Sequence, residues 1–174
     1  MYDSQSLFQV LEAIEDGIYI INQEYTVEYM NKAMVKLFGE GVGRKCYRLI
    51  NCSNRTCPWC RAYEAFSGKQ ASMEVDVPTV GKSFQVLSMP LKNSDGTVSK
   101  LSVYKDISLR KQQEAKLKST EADYRRLFEN VGCGVFVSSK EGKFLDANSE
   151  LLRMLGYESK EEFLEIDIGR DLYL

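Results

Sequence analysis

The sequence predicts an α+β chain: a five-stranded antiparallel sheet with short flanking helices, then a long connecting helix, then the opening part of a second unit of the same kind. Three observations carry this reading. The chain repeats itself: a shift of 117 residues lays Ile14–Gly39 (IEDGIYIINQEYTVEYMNKAMVKLFG) on Val131–Gly156 (VGCGVFVSSKEGKFLDANSELLRMLG) without a gap. Three strand-like stretches lie between the copies. The last stretch before the second copy, Asp106–Val131, contains neither Gly nor Pro and is built of good helix formers.

In order, Ser6–Glu15 predicts a short helix with Leu7, Val10, Leu11 and Ile14 on one side. Gly17–Asn22 and Tyr25–Met30 are β-branched and aromatic runs turned by Gln23-Glu24, which reads as a hairpin. Asn31 suits a helix N-cap, Ala33, Met34, Leu37 and Phe38 an apolar helix face, and Gly39 its end. Cys46–Ile50 is a candidate short helix, Asn51–Thr56 a polar interruption, and Pro58–Ser67 a second helix opened by proline with Ala62, Ala65 and Phe66 inward. Ala71–Val77 alternates Met73, Val75 and Val77 with polar residues. Lys82–Leu91 carries apolar residues on both faces, so it is buried on both faces or its register is ambiguous. Asn93-Ser94-Asp95-Gly96 then turns the chain into the last strand, Thr97–Lys105.

In the repeat, Gly17 meets Gly134, Glu24 meets Glu141, Asn31 meets Asn148 and Gly39 meets Gly156. Apolar positions coincide as well: Ile18 with Val135, Ile20 with Val137, Met34 with Leu151, Leu37 with Met154. The second copy has no sequence for three further strands, so it reads as truncated and the chain as a piece of a longer protein, with the residues beyond Gly156 poorly anchored. The expected division is a first domain over 1–107, a connecting helix over 108–131, and the N-terminal part of a second domain over 132–174.

Strand, strand, Asn-capped short helix, variable helical middle, three strands and then Asp106-Ile107-Ser108 with Arg110 resembles a PAS domain with its trailing segment. Gly17, Asn31, Gly39 and the Asp95-Gly96 turn carry the rest of the resemblance. It implies the PAS fold and a sensory-box input module of a bacterial signalling protein, such as a two-component system. The module would sense a ligand, a metal or a redox state and relay it through the 106–131 helix. The output domain, such as a histidine kinase or diguanylate cyclase, would lie outside this chain, and no enzyme activity is expected here. The alternatives are a protein–protein interaction module with no ligand and a thiol redox switch centred on Cys57 and Cys60.

The helix itself suggests how such a module pairs. Leu117, Tyr124 and Val131 recur every seven residues, with Thr120 and Leu127 at the complementary heptad position; further back the seam meets the polar Arg110 and Gln113. A homodimer is expected through this helix, the Ser6–Glu15 helix, or both.

Composition narrows the field. The 174 residues carry a formal net charge of −2 and no basic block, so no nucleic-acid partner is expected. No apolar run reaches membrane-spanning length, and MYDSQS lacks a signal-peptide core. With five Cys and no His, four of the Cys crowded into a short segment, a secreted disulfide framework does not fit, and a reducing, cytoplasmic setting is expected. Without His there is no histidine-ligated haem, no histidine acid–base chemistry and no histidine phosphotransfer.

The chemistry that remains is in cysteine. Cys46, Cys52, Cys57 and Cys60 give C-x5-C-x4-C-x2-C, a spacing able to wrap Zn²⁺ or an iron–sulfur cluster. Cys57-Pro58-Trp59-Cys60 is also similar to the CPYC of glutaredoxins, although no thioredoxin-like βαβ context surrounds it. Gly43–Ile50 resembles the GRNCRFLQ box of LOV domains with Cys46 at the adduct position. Lys45, Ile50 and Tyr104 replace the Asn and the two Gln of that pattern, so flavin is not expected. The plain reading is a set of reduced thiols. Cys133 is expected to be a buried structural thiol.

Overall fold

The computed structural model describes residues 4–166. It divides into two compact units, Met1–Gln112 and Gln113–Leu174. The first contains α1 (Ser4–Ala13), β1 (Gly17–Ile21), β2 (Val27–Met30), α2 (Lys32–Phe38), α3 (Cys46–Asn51), α4 (Ala62–Phe66), β3 (Ala71–Val77), β4 (Lys82–Lys92) and β5 (Val98–Asp106). Its sheet has the order β2-β1-β5-β4-β3, every pair antiparallel.

The β1–β2 turn is made by Asn22, whose Oδ1 accepts from the amides of Glu24 at 3.1 Å and Thr26 at 2.9 Å. Tyr25 takes a left-handed conformation and Thr26 pairs with Lys45 in an isolated bridge, so β2 starts two residues later than its side chains suggest. Alternation in β4 resolves cleanly. Phe84, Val86 and Ser88 are buried against the helices, while Leu87 and Met89 are half-buried on the other face. Phe84, Tyr104 and Tyr19 form an aromatic chain across the inner face, with ring centroids 5.6 Å apart at each step. One expected helix is shorter than its sequence suggests: residues 58–59 form a turn, and α4 begins only at Ala62. Ala62 and Ala65 are fully buried, as their spacing requires.

Asn31 ties the first three elements together. It is fully buried. Its Oδ1 accepts from Met34 N at 2.9 Å, capping α2, and from Ile18 N at 2.8 Å in β1. Its Nδ2 donates to the carbonyls of Leu11, Ile14 and Asp16 at 3.1, 3.3 and 2.9 Å, at the end of α1 and in the segment after it. Glu12 adds a second link from α1, accepting from Lys32 N at 3.0 Å and from the Tyr29 hydroxyl at 2.7 Å.

The second unit repeats this arrangement residue for residue. β6 (Phe136–Ser138) pairs with β7 (Phe144–Ala147), and α6 (Ser149–Leu155) follows Asn148 as α2 follows Asn31. Asn148 accepts from Val135 N and Leu151 N and donates to the carbonyls of Phe128 and Cys133. Glu129 accepts from Ser149 N at 2.9 Å, as Glu12 does from Lys32. Each of these partners is the residue 117 positions after its counterpart in the first unit, so the repeat reaches back into the preceding helix, beyond the apolar match. Gly17 and Gly134 are kept for space: a Cβ at either would lie 3.0 Å from Met34 Sδ or 2.7 Å from Leu151 Cδ1.

Two expectations for this unit are corrected. The residues immediately past Gly156 are held: α7 (Lys160–Leu164) is capped by the Ser159 hydroxyl, and Phe163 is buried against Phe144 and Tyr157. Residues 167–174 lie outside the described residues. Cys133 is exposed, because its backbone carbonyl is what the fold uses and its side chain faces away from the small core.

α5 (Ser108–Asn130) spans the division between the units. Its start is fixed to the first sheet. Asp106 accepts from Ser108 N at 2.9 Å and from Lys82 Nζ at 2.6 Å, and Ser108 Oγ accepts from Ser83 N at 3.0 Å. Arg110 pairs with Glu74, and Lys111 with Asp76 at 3.0 Å.

Two measurements check these anchors. Asn31→Ala removes the acceptor and donor that several buried backbone groups share, and should cost about 3 kcal/mol in denaturant unfolding of the first unit. Burial works to raise the Asp106 carboxyl, but the Lys82 ammonium and the Ser108 hydroxyl and amide outweigh it and hold the value at about 2. A depressed folded value stabilises above the ordinary carboxylate range and is lost as pH falls through the folded value. The melting temperature should therefore drop as pH falls from about 4 to about 2, and Asp106→Asn should flatten that drop.

Candidate functional site

The inner face of the first sheet carries a polar strip. β5 turns Lys100, Ser102 and Tyr104 inward by its alternation, and β1 and β4 bring Tyr19 and Ser88 alongside through the pairs Tyr19↔Ser102 and Ser88↔Ser102. Lys100 is 5% exposed. Its Nζ donates to the Tyr19 hydroxyl at 3.3 Å and lies 5.4 Å from the centre of the same ring. The Tyr19 ring packs edge-on against Tyr104, and Ser88 and Ser102 share a hydroxyl contact at 3.4 Å. Burial drives both tyrosine hydroxyls far above their ordinary pKa, so both stay protonated. Among the described residues no carboxylate pairs with Lys100.

Three of the four clustered cysteines meet this strip from the helical side. Cys46 opens α3 at 5% exposed, Cys57 is 9% exposed, and Cys60 is half-buried at the end of the 57–60 turn. Cys46 and Cys57 lie close enough to Lys100 and Cys60 to feel their charge. Burial pushes the Cys46 thiol up to about 12, with Lys100 opposing and Cys57 and Cys60 adding. Burial likewise pushes Cys57 up to about 11, with Cys60 adding and Lys100 opposing. Cys52 is apart. It ends α3 in a left-handed conformation (φ 49°) that turns it outward, where it is exposed. No group of three or more His, Cys, Asp or Glu among the described residues is placed to hold a metal ion. Of the four cysteines of that spacing, Cys46 and Cys57 are thus buried, Cys60 is half-buried and Cys52 is exposed. The expected helix start at Cys57 is also replaced by the turn, so no helix end assists that thiol.

Lys100, Tyr19 and Ser88 were not singled out by sequence. The alternation of Val98–Asp106 puts Lys100 in phase with Ser102 and Tyr104, but a lysine in a strand reads by default as a solvent-facing residue. Below the strip, a surface cleft of about 530 Å³ between Asp16, Lys36, Lys82 and Asp106 reaches Phe84 and Tyr104 from outside.

The thiols give a direct test. In the folded protein at neutral pH, iodoacetamide should label Cys52 and Cys133 first and leave Cys46 and Cys57 largely unlabelled. Labelling of the latter pair should accelerate as pH rises toward their raised values, because the thiolate is the reactive form. Equal rates at all five sites by peptide mass spectrometry would contradict the burial described.

Comparison with known proteins agrees with the architecture. No curated protein matches the sequence. Among solved structures, an RNA-binding light-oxygen-voltage receptor superposes with a TM-score of 0.52 at 16% identity, over 67% of this chain and 36% of the receptor. The chain therefore spans about a third of that protein, and at this identity the likeness concerns the fold alone. The PAS domain of a protein from Colwellia psychrerythraea gives 0.49 at 14% identity, covering 60% of this chain and 96% of that one. The PAS domain of nitrogen regulation protein NR(II) from Vibrio parahaemolyticus gives 0.48 at 14% identity, covering 58% and 97%. The family model for the PAS domain matches twice, over residues 5–70 and 122–173, which together make up more than half of the sequence and fall one in each unit. The chain belongs to the PAS domain family.

Proposed function

We propose that this chain is the sensory and dimerisation input region of a bacterial signal-transduction protein, acting in the cytoplasm and relaying the state of its first unit through α5 to an output domain such as a histidine kinase or diguanylate cyclase. PAS domains are sensory modules of signalling proteins. The observation that carries the dimeric part is the seam on α5. Leu117, Tyr124, Leu127 and Val131 keep heptad spacing and are 70%, 48%, 68% and 41% exposed. A monomer has no use for such a row of exposed apolar side chains, whereas a second copy of the helix would cover it. Fully burying one such side chain contributes about 1.5–3 kcal/mol, so four per chain can offset the cost of association.

The relay follows from where α5 is held. Its first residues are tied to β3 and β4 by Glu74, Asp76, Lys82 and Ser83, and its last turn is tied to the second unit by Phe128 and Glu129. A change at the inner face of the first sheet moves β5, the strand that runs directly into this helix. Five free thiols suit a reducing compartment.

Leu117→Glu together with Leu127→Glu should shift the protein from dimer to monomer in analytical ultracentrifugation while leaving its helical circular dichroism in place. A wild-type chain that sediments as a monomer, or a double variant that stays dimeric, would remove the seam from the model of function. In the second case the surface of α1, where Phe8 and Val10 are exposed, is the next place to look.

A further inference from the structure

The segment Cys57-Pro58-Trp59-Cys60 is a turn closed by the Cys60 amide, which donates to the Cys57 carbonyl at 2.9 Å. A four-residue turn closed in this way holds its first and fourth Cα atoms within about 7 Å. A disulfide needs Cα atoms about 4.4–6.8 Å apart. Pro58 occupies the second position of the turn, where its fixed φ favours that conformation in advance. The two thiols differ in access: Cys60 is half-buried and open to a reagent, while Cys57 is buried beside the Asn51 side chain. Directly after the turn, the fully buried Ala62 and Ala65 seat α4 against β4 and β5.

We propose that Cys57 and Cys60 form a dithiol–disulfide site whose co-substrate is a low-molecular-weight disulfide, the oxidised form of a small cellular thiol. The site rests on the sensory reading above, for which it supplies the stimulus. The Cys60 thiolate attacks one sulfur of the small disulfide, giving a mixed disulfide on Cys60 and releasing one small thiolate, which takes up the proton that Cys60 lost. Cys57 then gives up its proton and attacks Cys60 Sγ. The mixed bond breaks and the second small thiol leaves with that proton. The protein loses two electrons and two protons, and one small disulfide becomes two small thiols. The charges around the turn assist the second step. Cys60 no longer presents a negative charge once it is in the mixed disulfide, and the buried Lys100 on β5 favours a thiolate at Cys57. Closing the bond fixes the turn that leads into α4, and so alters what packs on β5.

The cleavage pattern of trypsin makes the test clean. Cuts after Lys45, Arg48, Arg55 and Arg61 place Cys46, Cys52 and the Cys57/Cys60 pair in three separate peptides. The full chain is equilibrated in oxidised and reduced glutathione of varied ratio, quenched with an alkylating reagent, digested and weighed. The expected result is an internal disulfide in Thr56–Arg61, with its oxidised fraction passing from about a tenth to about nine-tenths over roughly a hundred-fold change in the ratio. Cys52→Ser, at an exposed position, should leave the transition in place. Cys60→Ser, at a half-exposed position, should abolish it and leave Cys57 reduced. A peptide that is fully alkylated at every ratio, or Cys57 bridged to Cys46 or Cys52 instead, overturns the proposal. Sedimentation of the same samples keeps the two readings separate: a dimer with an inert dithiol removes this site alone, and a monomer with an active dithiol removes the dimeric relay alone.

Discussion

Asn31 and Asn148 are each fully buried, and each satisfies backbone groups from three elements with one side chain. A buried amide or carbonyl left without a partner costs on the order of 1–3 kcal/mol. At this position the hairpin's first strand, the short helix after the second strand and the end of the preceding helix all bring such groups together. One carboxamide answers them: its oxygen serves the strand and the new helix, and its nitrogen serves the incoming chain. The carboxylate at Glu12 or Glu129, one turn away on the incoming helix, does the same for the amide just after the asparagine. The rest of each unit is arranged around this junction, including the close approach that leaves room only for glycine at Gly17 and Gly134.

α1 enters the first unit by the same bonds through which the end of α5 enters the second. A helix held by its terminal carbonyls and one carboxylate is coupled to the sheet at its tip. The exit from the first unit is of another kind. It uses ion pairs among half-exposed side chains, which are weak individually and responsive to charge. Entry is therefore by buried amide bonds, and exit by surface ion pairs together with the Ser108 bonds to Asp106 and Ser83.

Within the first unit the strip of Tyr19, Lys100, Ser102 and Ser88 gives the sheet an interior of mixed character. An ammonium taken out of water is costly unless something compensates it, and here the compensation comes from a tyrosine hydroxyl and ring, with thiols nearby. The thiols are the part of this neighbourhood that chemistry can alter. Their ionisation is suppressed by burial and relieved by Lys100.

Local pattern sufficed for a good deal. The repeat was legible because apolar alternation, the Asn cap and the terminal glycine are local properties, and a shift of 117 residues displays them twice. The strands β3 to β5 and the long helix followed from period and composition for the same reason. The cysteine spacing was equally visible, but its meaning was not, because ligand or disulfide geometry depends on where a loop folds back. Only the tertiary structure turned Cys52 outward through its left-handed residue, made a turn of the expected helix start at Cys57, exposed Cys133, and seated residues 157–166 against Phe144. It also revealed Lys100, whose burial is decided by β1, β4 and α4 packing on β5. Sequence by itself determined the elements and their duplication, since these depend on neighbours in the chain. The tertiary structure decided which thiols and which cation are buried, since these depend on neighbours in space.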